Sequence, residues 1–249
     1  MPKPGKFKEI QFLELEDIQI PVEIHHEWRK SARVSIGRDK AIIRLPILIA
    51  SSTKEEHMNW AKDWIAKKIK KDQNLKSSFF PKTYLTGTII EVMGTNYTLQ
   101  LNEKDGKTAT GRRIDKTIYI NLPSNLSANV RQKTCQKLIH RIMSQTYQHH
   151  VKKRVDDLND TYFKKEINEI QLRNNSSNWG SCSSNKNISL SSRLLLAPAF
   201  VLDYIIIHEL AHLVHHNHSA AYWKVVEKVM PNYMEAENWL KKSGSNINW

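Results

Sequence analysis

The most restrictive feature of this chain is the stretch from Leu194 to Leu213. It is the most apolar in the sequence, yet it carries Asp203, His208, Glu209 and His212. Four ionisable side chains make it a poor membrane span, so it reads as a helix buried in a protein core. Pro198 suits the first turn of that helix, which then runs on through the histidines. The fold must therefore wrap a core around one helix and still give His208, Glu209 and His212 a role.

Their spacing suggests the role. His208-Glu209-Leu210-Ala211-His212 is an H-E-x-x-H pattern. On a helix, residues four apart lie about 40° apart in rotation and about 6 Å apart along the axis. Two imidazoles so placed converge on one tetrahedral ion, with Zn–N distances of about 2.0–2.1 Å. Glu209 flanks such an ion without binding it. From there it takes a proton from an activated water and passes it to a leaving group.

A third ligand must come from farther along, where His215, His216 and His218 compete. If the helix simply continued, His215 and His216 would sit about 10 and 12 Å beyond His208, out of reach of a shared ion. The chain has to turn back first. Asn217 is the expected turn residue, in the left-handed conformation, with His218 next and Ser219 capping the helix that follows. The H-E-x-x-H-x5-H spacing matches that of metzincins, although His215 stands where their turn-forming glycine would be. Glu235 and Glu237 stay open as more distant carboxylate ligands.

The first hundred or so residues are rich in short β runs. These are Phe12 to Ile24, Ala32 to Ile36, Ala41 to Leu45, Thr88 to Met93, Tyr97 to Leu101 and Lys116 to Asn121. Polar turns such as Gly37-Arg38-Asp39 separate them. One helix, about Thr53 to Lys71, interrupts them with Met58, Ala61, Trp64, Ile65 and Ile69 at helical spacing. Its other face is lysine-rich, the ordinary composition of a solvated helix face. After residue 124 the character changes. Ser127 caps a long helix with Val130, Leu138, Ile139 and Ile142 inward. Strands at Ile167 to Leu172 and Ile188 to Leu190 flank a polar loop, and a helix after Ser219 ends at Pro231. No internal repeat is visible. The expected fold is α+β: a β-rich region over 1–124 and a helical catalytic half over 125–249.

The formal charge of +13 makes polyanions plausible partners, nucleic acid or nucleotides included. Cys135 and Cys182 cannot form a disulfide framework and read as reduced thiols. The charged start Met1-Pro2-Lys3-Pro4-Gly5-Lys6 lacks an apolar signal core, so a cytoplasmic protein with no membrane association is expected.

Several short motifs recur together. They are Asn178-Trp179-Gly180-Ser181-Cys182-Ser183, Arg193-Leu194, Asp203-Tyr204, the His208 to Leu213 segment, and Asn217-His218-Ser219 with Tyr222-Trp223. With them the chain resembles the bacterial YgjP-like (DUF45) metallopeptidase domain, which is similar to SprT-like and WLM zinc proteases. Arg29 to Arg33 and the helix from Trp60 to Ile65 extend the likeness to most of the chain. The resemblance implies a zincin-like fold, zinc held by His208, His212 and His218, and Glu209 as general base. Peptide or protein substrates are implied first. Nucleotide pyrophosphate hydrolysis, ascribed within the family, and a DNA-associated protease or nucleic-acid-binding module with a structural metal are the alternatives. Trp179, Gly180, Ser181 and Arg193 are candidate substrate-binding residues, although Gly180 and Trp179 also suit a tight turn packed on the site and Arg193 also suits a structural carboxylate. Asn178 and Asn175 depart from the basic residues usual at those positions.

Overall fold

The structure is a computed structural model that describes residues 8–15, 18–37, 40–71, 75, 82–175, 177–244, 247 and 249. The turn expected at Arg38-Asp39 and the reading of residues 1–6 fall outside these. The fold is α+β and divides into two compact units, Met1–Pro81 and Lys82–Trp249. Among the described residues, no helix is long and apolar enough to cross a membrane.

The first unit holds β1 (Lys8–Leu15), β2 (Ile18–Glu27), β3 (Arg33–Ile36), β4 (Ala41–Pro46) and α1 (Ser51–Lys71). The sheet order is β1-β2-β4-β3. Side chains alternate across the strands, so Ile20, Val22, Ile24, Ala41, Ile43 and Leu45 share one face, which packs on Met58, Ala61, Ile65 and Ile69 of α1. The run Phe12 to Ile24, read as one strand, is an antiparallel pair in which Leu15 lies opposite Ile18. Continuous β propensity hides a reversal that no glycine or proline announces. Trp64, expected inward, is 36% exposed, because the buried stripe of α1 is narrow and Trp64 lies beyond its margin.

The second unit opens with β5 (Ile89–Val92), β6 (Thr95–Lys104), β7 (Thr110–Ile114), β8 (Thr117–Pro123) and α2 (Ala128–Leu158), which runs into a π turn at Asn159–Phe163. The order is β5-β6-β8-β7. Strand β7 escapes sequence reading because its residues, Thr-Gly-Arg-Arg-Ile, are nearly all polar. Residue 124 falls inside this unit, since Leu99, Ile118, Ile120 and Leu122 share a core with Cys135, Leu138, Ile139 and Ile142 of α2. Val130, expected inward, is 48% exposed. Ser127 holds the N-cap position of α2 but makes no side-chain capping bond.

The two sheets with their helices are the same object, which corrects the expectation of no repeat. Every register recurs 77 residues later. Leu15 opposite Ile18 becomes Val92 opposite Thr95. Val22 beside Ala41 in parallel becomes Leu99 beside Ile118. Arg33 opposite Arg44 becomes Thr110 opposite Asn121. The helices begin at Ser51 and Ala128. Between residues 8–71 and 85–148 only seven positions are identical, among them Ile43/Ile120, Leu45/Leu122 and Pro46/Pro123, so the repeat is invisible to residue matching.

One difference decides what each copy carries. On the flank of α2 beside its sheet-facing side, Ile139 and Met143 are fully buried. The matching residues of α1 are Lys62 and Ala66. Only α2 has the apolar surface for a second layer.

That layer contains β9 (Glu169–Arg173), β10 (Gly180–Cys182), β11 (Asn187–Ser191), a 3-10 turn at Ser192–Leu196 and three helices: α3 (Ala199–Ala211), α4 (Ala220–Val229) and α5 (Tyr233–Ser243). The small sheet runs β10-β11-β9. Strand β10 and helix α5 are additions to the sequence reading. The bidentate ion pair of Arg154 with Asp203, both contacts at 2.7 Å, ties α2 to α3.

Candidate metal centre

Helix α3 is buried nearly all round, with Val201, Leu202, Ile205, Ile206, Ile207 and Leu210 all in the core. Its position is therefore fixed by packing, and His208, Glu209 and His212 emerge at its C-terminal end. The helix closes by tightening: the amides of His212, Leu213 and Val214 donate to the carbonyls of Glu209, Leu210 and Ala211. Asn217 does not take the left-handed conformation expected of it. Tightened i→i−3 bonds, not a reversal at Asn217, end the helix. Ser219 then caps α4, accepting from the Tyr222 amide at 3.4 Å.

The result brings His218 back to His208, their Nε2 atoms 3.2 Å apart. One nitrogen from each of His208, His212 and His218 lies within 4.8 Å of the others. Two ligands of a tetrahedral zinc at the usual Zn–N distance lie about 3.3 Å apart, so the set fits such an ion. His212 turns its Nδ1 to the His215 carbonyl at 3.2 Å, which leaves its Nε2 to face the other two rings. The backbone of His215 thus serves the site, but His215, His216, Glu235 and Glu237 are not part of the converging group. Glu237 accepts from the Tyr204 hydroxyl at 3.2 Å and from Lys241 at 3.0 Å.

Burial, with the neighbouring imidazoles, pushes His208 down to about 4, and burial lowers His212 as well. Both rings are thus neutral at neutral pH, the state in which imidazole binds a metal. Burial alone lifts Glu209, only 4% exposed, to about 8. Burial thus makes Glu209 a stronger proton acceptor than a solvated carboxylate.

Tyr222, which sequence reasoning named without a role, holds the three rings in place. It is fully buried, its hydroxyl donates to the His208 carbonyl at 2.9 Å, and its ring lies 5.4, 4.7 and 4.9 Å from those of His208, His212 and His218. Trp223 stacks on His218 at 5.8 Å. The buried Nδ1 of His208 has no hydrogen-bond partner among the described residues.

The four candidate substrate residues fall into two groups. Gly180 touches the site: a Cβ there would lie 2.5 Å from Oε1 of Glu209 and 2.8 Å from its Cγ. Ser181 is exposed on the same strand. Trp179 and Arg193 face each other, with the guanidinium carbon 4.0 Å from the ring centroid. Arg193 is buried, and its Nε donates to the Asn175 carbonyl at 3.0 Å. The Trp179 carbonyl accepts from the Ser191 amide.

The two edges of the small sheet differ. On β9, Gln148 covers the edge, donating to the Ile170 carbonyl and accepting from the Leu172 amide. On β10, the Trp179 carbonyl and the Ser183 amide bond to β11, so the intervening Gly180 and Cys182 turn their main-chain groups outward. No described strand pairs with that edge.

A family model described as YgjP-like, metallopeptidase domain, matches residues 30–243. Among solved structures, the metallopeptidase zymogen of Pyrococcus abyssi abylysin is similar at 26% identity over 37% of this chain and 93% of its own, with a TM-score of 0.34. The zymogen of Methanocaldococcus jannaschii jannalysin is similar at 21% over 37% and 94%, with a TM-score of 0.33. No curated protein matches the chain.

Proposed function

This chain belongs to the YgjP-like metallopeptidase family, and from that footing we propose that it is a zinc-dependent peptidase, with His208, His212 and His218 holding the ion and Glu209 as general base. The observation that carries the reading is the convergence of three imidazole nitrogens within 4.8 Å beside a buried carboxyl. Bound zinc would supply Lewis-acid polarisation of the scissile carbonyl and would activate water. Glu209 takes the proton and delivers it to the leaving amine. Gly180 leaves that carboxyl room to lie against β10, and Tyr222 keeps the His208 main chain and the three rings in register. The open edge of β10 receives the substrate as an added strand, main chain to main chain at Gly180 and Cys182. Trp179, which leads into β10, is held by the Arg193 guanidinium against its ring.

No observation at the site favours nucleotide hydrolysis, since Arg193, the side chain best suited to an anion, is engaged by Trp179 and Asn175. The test is turnover of an unstructured protein such as casein, with and without chelator, beside a panel of nucleoside triphosphates. Glu209→Gln should retain stoichiometric zinc and lose at least about 100-fold in turnover, in line with the usual contribution of a general base. Turnover within a few-fold of the parent would remove Glu209 from the mechanism. Hydrolysis of nucleotides alone would overturn the substrate class.

A further inference from the structure

The internal repeat supplies a control for reading the surface of the first unit. On α1 the side chains away from its sheet are Trp60, Trp64, Lys67 and Lys71, all within about 60° of one another around the helix axis. Lys68 borders them. Trp60 is 47% exposed and Trp64 36% exposed. The residues 77 positions later on α2 are Lys137 and Arg141 in place of the two tryptophans. Both are exposed, as a solvated face requires. The module therefore does not need tryptophan at either position. Its own second copy folds with charged residues there, so the two indoles serve something other than the fold.

Trp60 and Trp64 are one helical turn apart, about 6 Å along the axis, and Lys67 and Lys71 continue the same row by one and two further turns. Glu56 and Asp63 lie beside the tryptophan end, so the positive end of the row is at Lys67 to Lys71. Exposed aromatic faces followed by a line of cations match a strand of unpaired bases on an anionic backbone, because every base has a face that stacks and every linkage carries a charge. We propose that this face of α1 binds single-stranded nucleic acid, with bases stacked on Trp60 and Trp64 and phosphates held by Lys67, Lys68 and Lys71. The site uses none of the residues of the metal centre.

The substitutions that test it are supplied by the repeat. Trp60→Lys with Trp64→Arg installs the residues α2 already carries, so the fold tolerates them, and it adds two positive charges. Binding of a fluorescein-labelled oligo(dT) 20-mer by the zinc-loaded full chain is followed by anisotropy at several salt concentrations. If bases stack on the indoles, the double variant binds roughly tenfold or more weakly despite its added charge. Lys67→Gln with Lys71→Gln also weakens binding and lowers the slope of log K against log salt by about 1.4. Equal or tighter binding by the tryptophan variant would overturn the proposal, leaving only a cationic surface. So would an absence of oligonucleotide binding by the parent at low salt. Tryptophan-dependent binding to phosphatidylglycerol vesicles without oligonucleotide binding would assign the face to a membrane surface instead. Casein turnover, measured on the same preparations, should not change, so failure here is separable from failure of the peptidase reading.

Discussion

Gly180 and Glu209 show how a site depends on an absent atom. A methyl group at residue 180 would stand 2.5 Å from the Glu209 carboxylate. The backbone there is not in a glycine-only conformation, so space alone excludes a larger residue. Gly180→Ala should keep its zinc, because the clash is with the Glu209 side chain, down to its Cγ, and with none of the three histidines. Turnover should fall by about tenfold or more, since misplacement of a reacting group by about 1 Å is enough for that. Unchanged kcat would show that Glu209 works from another rotamer. The third ligand gives a second prediction: His218→Ala should lose most bound zinc, whereas His215→Ala and His216→Ala keep it. Metal content of the folded variants decides, and full occupancy without His218 would turn attention to Glu237. The H-E-x-x-H pair was legible because its geometry is local to one helix. Gly180 was legible as a motif but not as a contact, because its partner comes from a distant stretch of chain. The turn at Asn217 was misplaced because i→i−3 tightening leaves no residue signature.

At the level of elements, β9 and β10 are opposite edges of one three-stranded sheet, and among the described residues only β9 has its outer edge covered. Gln148 satisfies it with a side-chain amide that donates once and accepts once. Gln148→Ala would leave the Ile170 carbonyl and the Leu172 amide unpaired, at about 1–3 kcal/mol. Thermal unfolding should move down accordingly, and hydrogen exchange at Leu172 should accelerate while exchange in β6 and β8 does not. If the Leu172 amide stays protected, another group covers the edge. Strands with strict apolar alternation, such as Ile118 to Leu122, were read close to their true limits. Strand β7, nearly all polar, and β10, three residues long, offer no periodicity to detect. Their place is set by partners, not by their own residues.

Across the whole molecule the two units have separate buried cores, one around Ile24, Ile43 and Ile65, the other around Leu99, Ile139 and Ile206. Among the described residues, the three proposed metal ligands all lie in the second. Calorimetry should therefore resolve two transitions, and chelation should lower only one. Ligand linkage gives about 2.7 kcal/mol when free zinc stands at 100 times its dissociation constant. A single transition that shifts as a whole would show that the units unfold together. The α+β class was readable from the order of β runs and helices, but the division at residue 81 was not, because β5 to β8 look like a continuation of the strands before them. The constant spacing of 77 residues bears on descent as well as on folding. Two copies that share seven residues in 64 but no difference in loop length point to a tandem duplication whose side chains drifted freely while every insertion or deletion was removed. A one-residue change inside a strand would slip its register by one place and turn its apolar face outward. The kinship of the two copies is therefore legible in the intervals between apolar positions and hardly at all in residue identity.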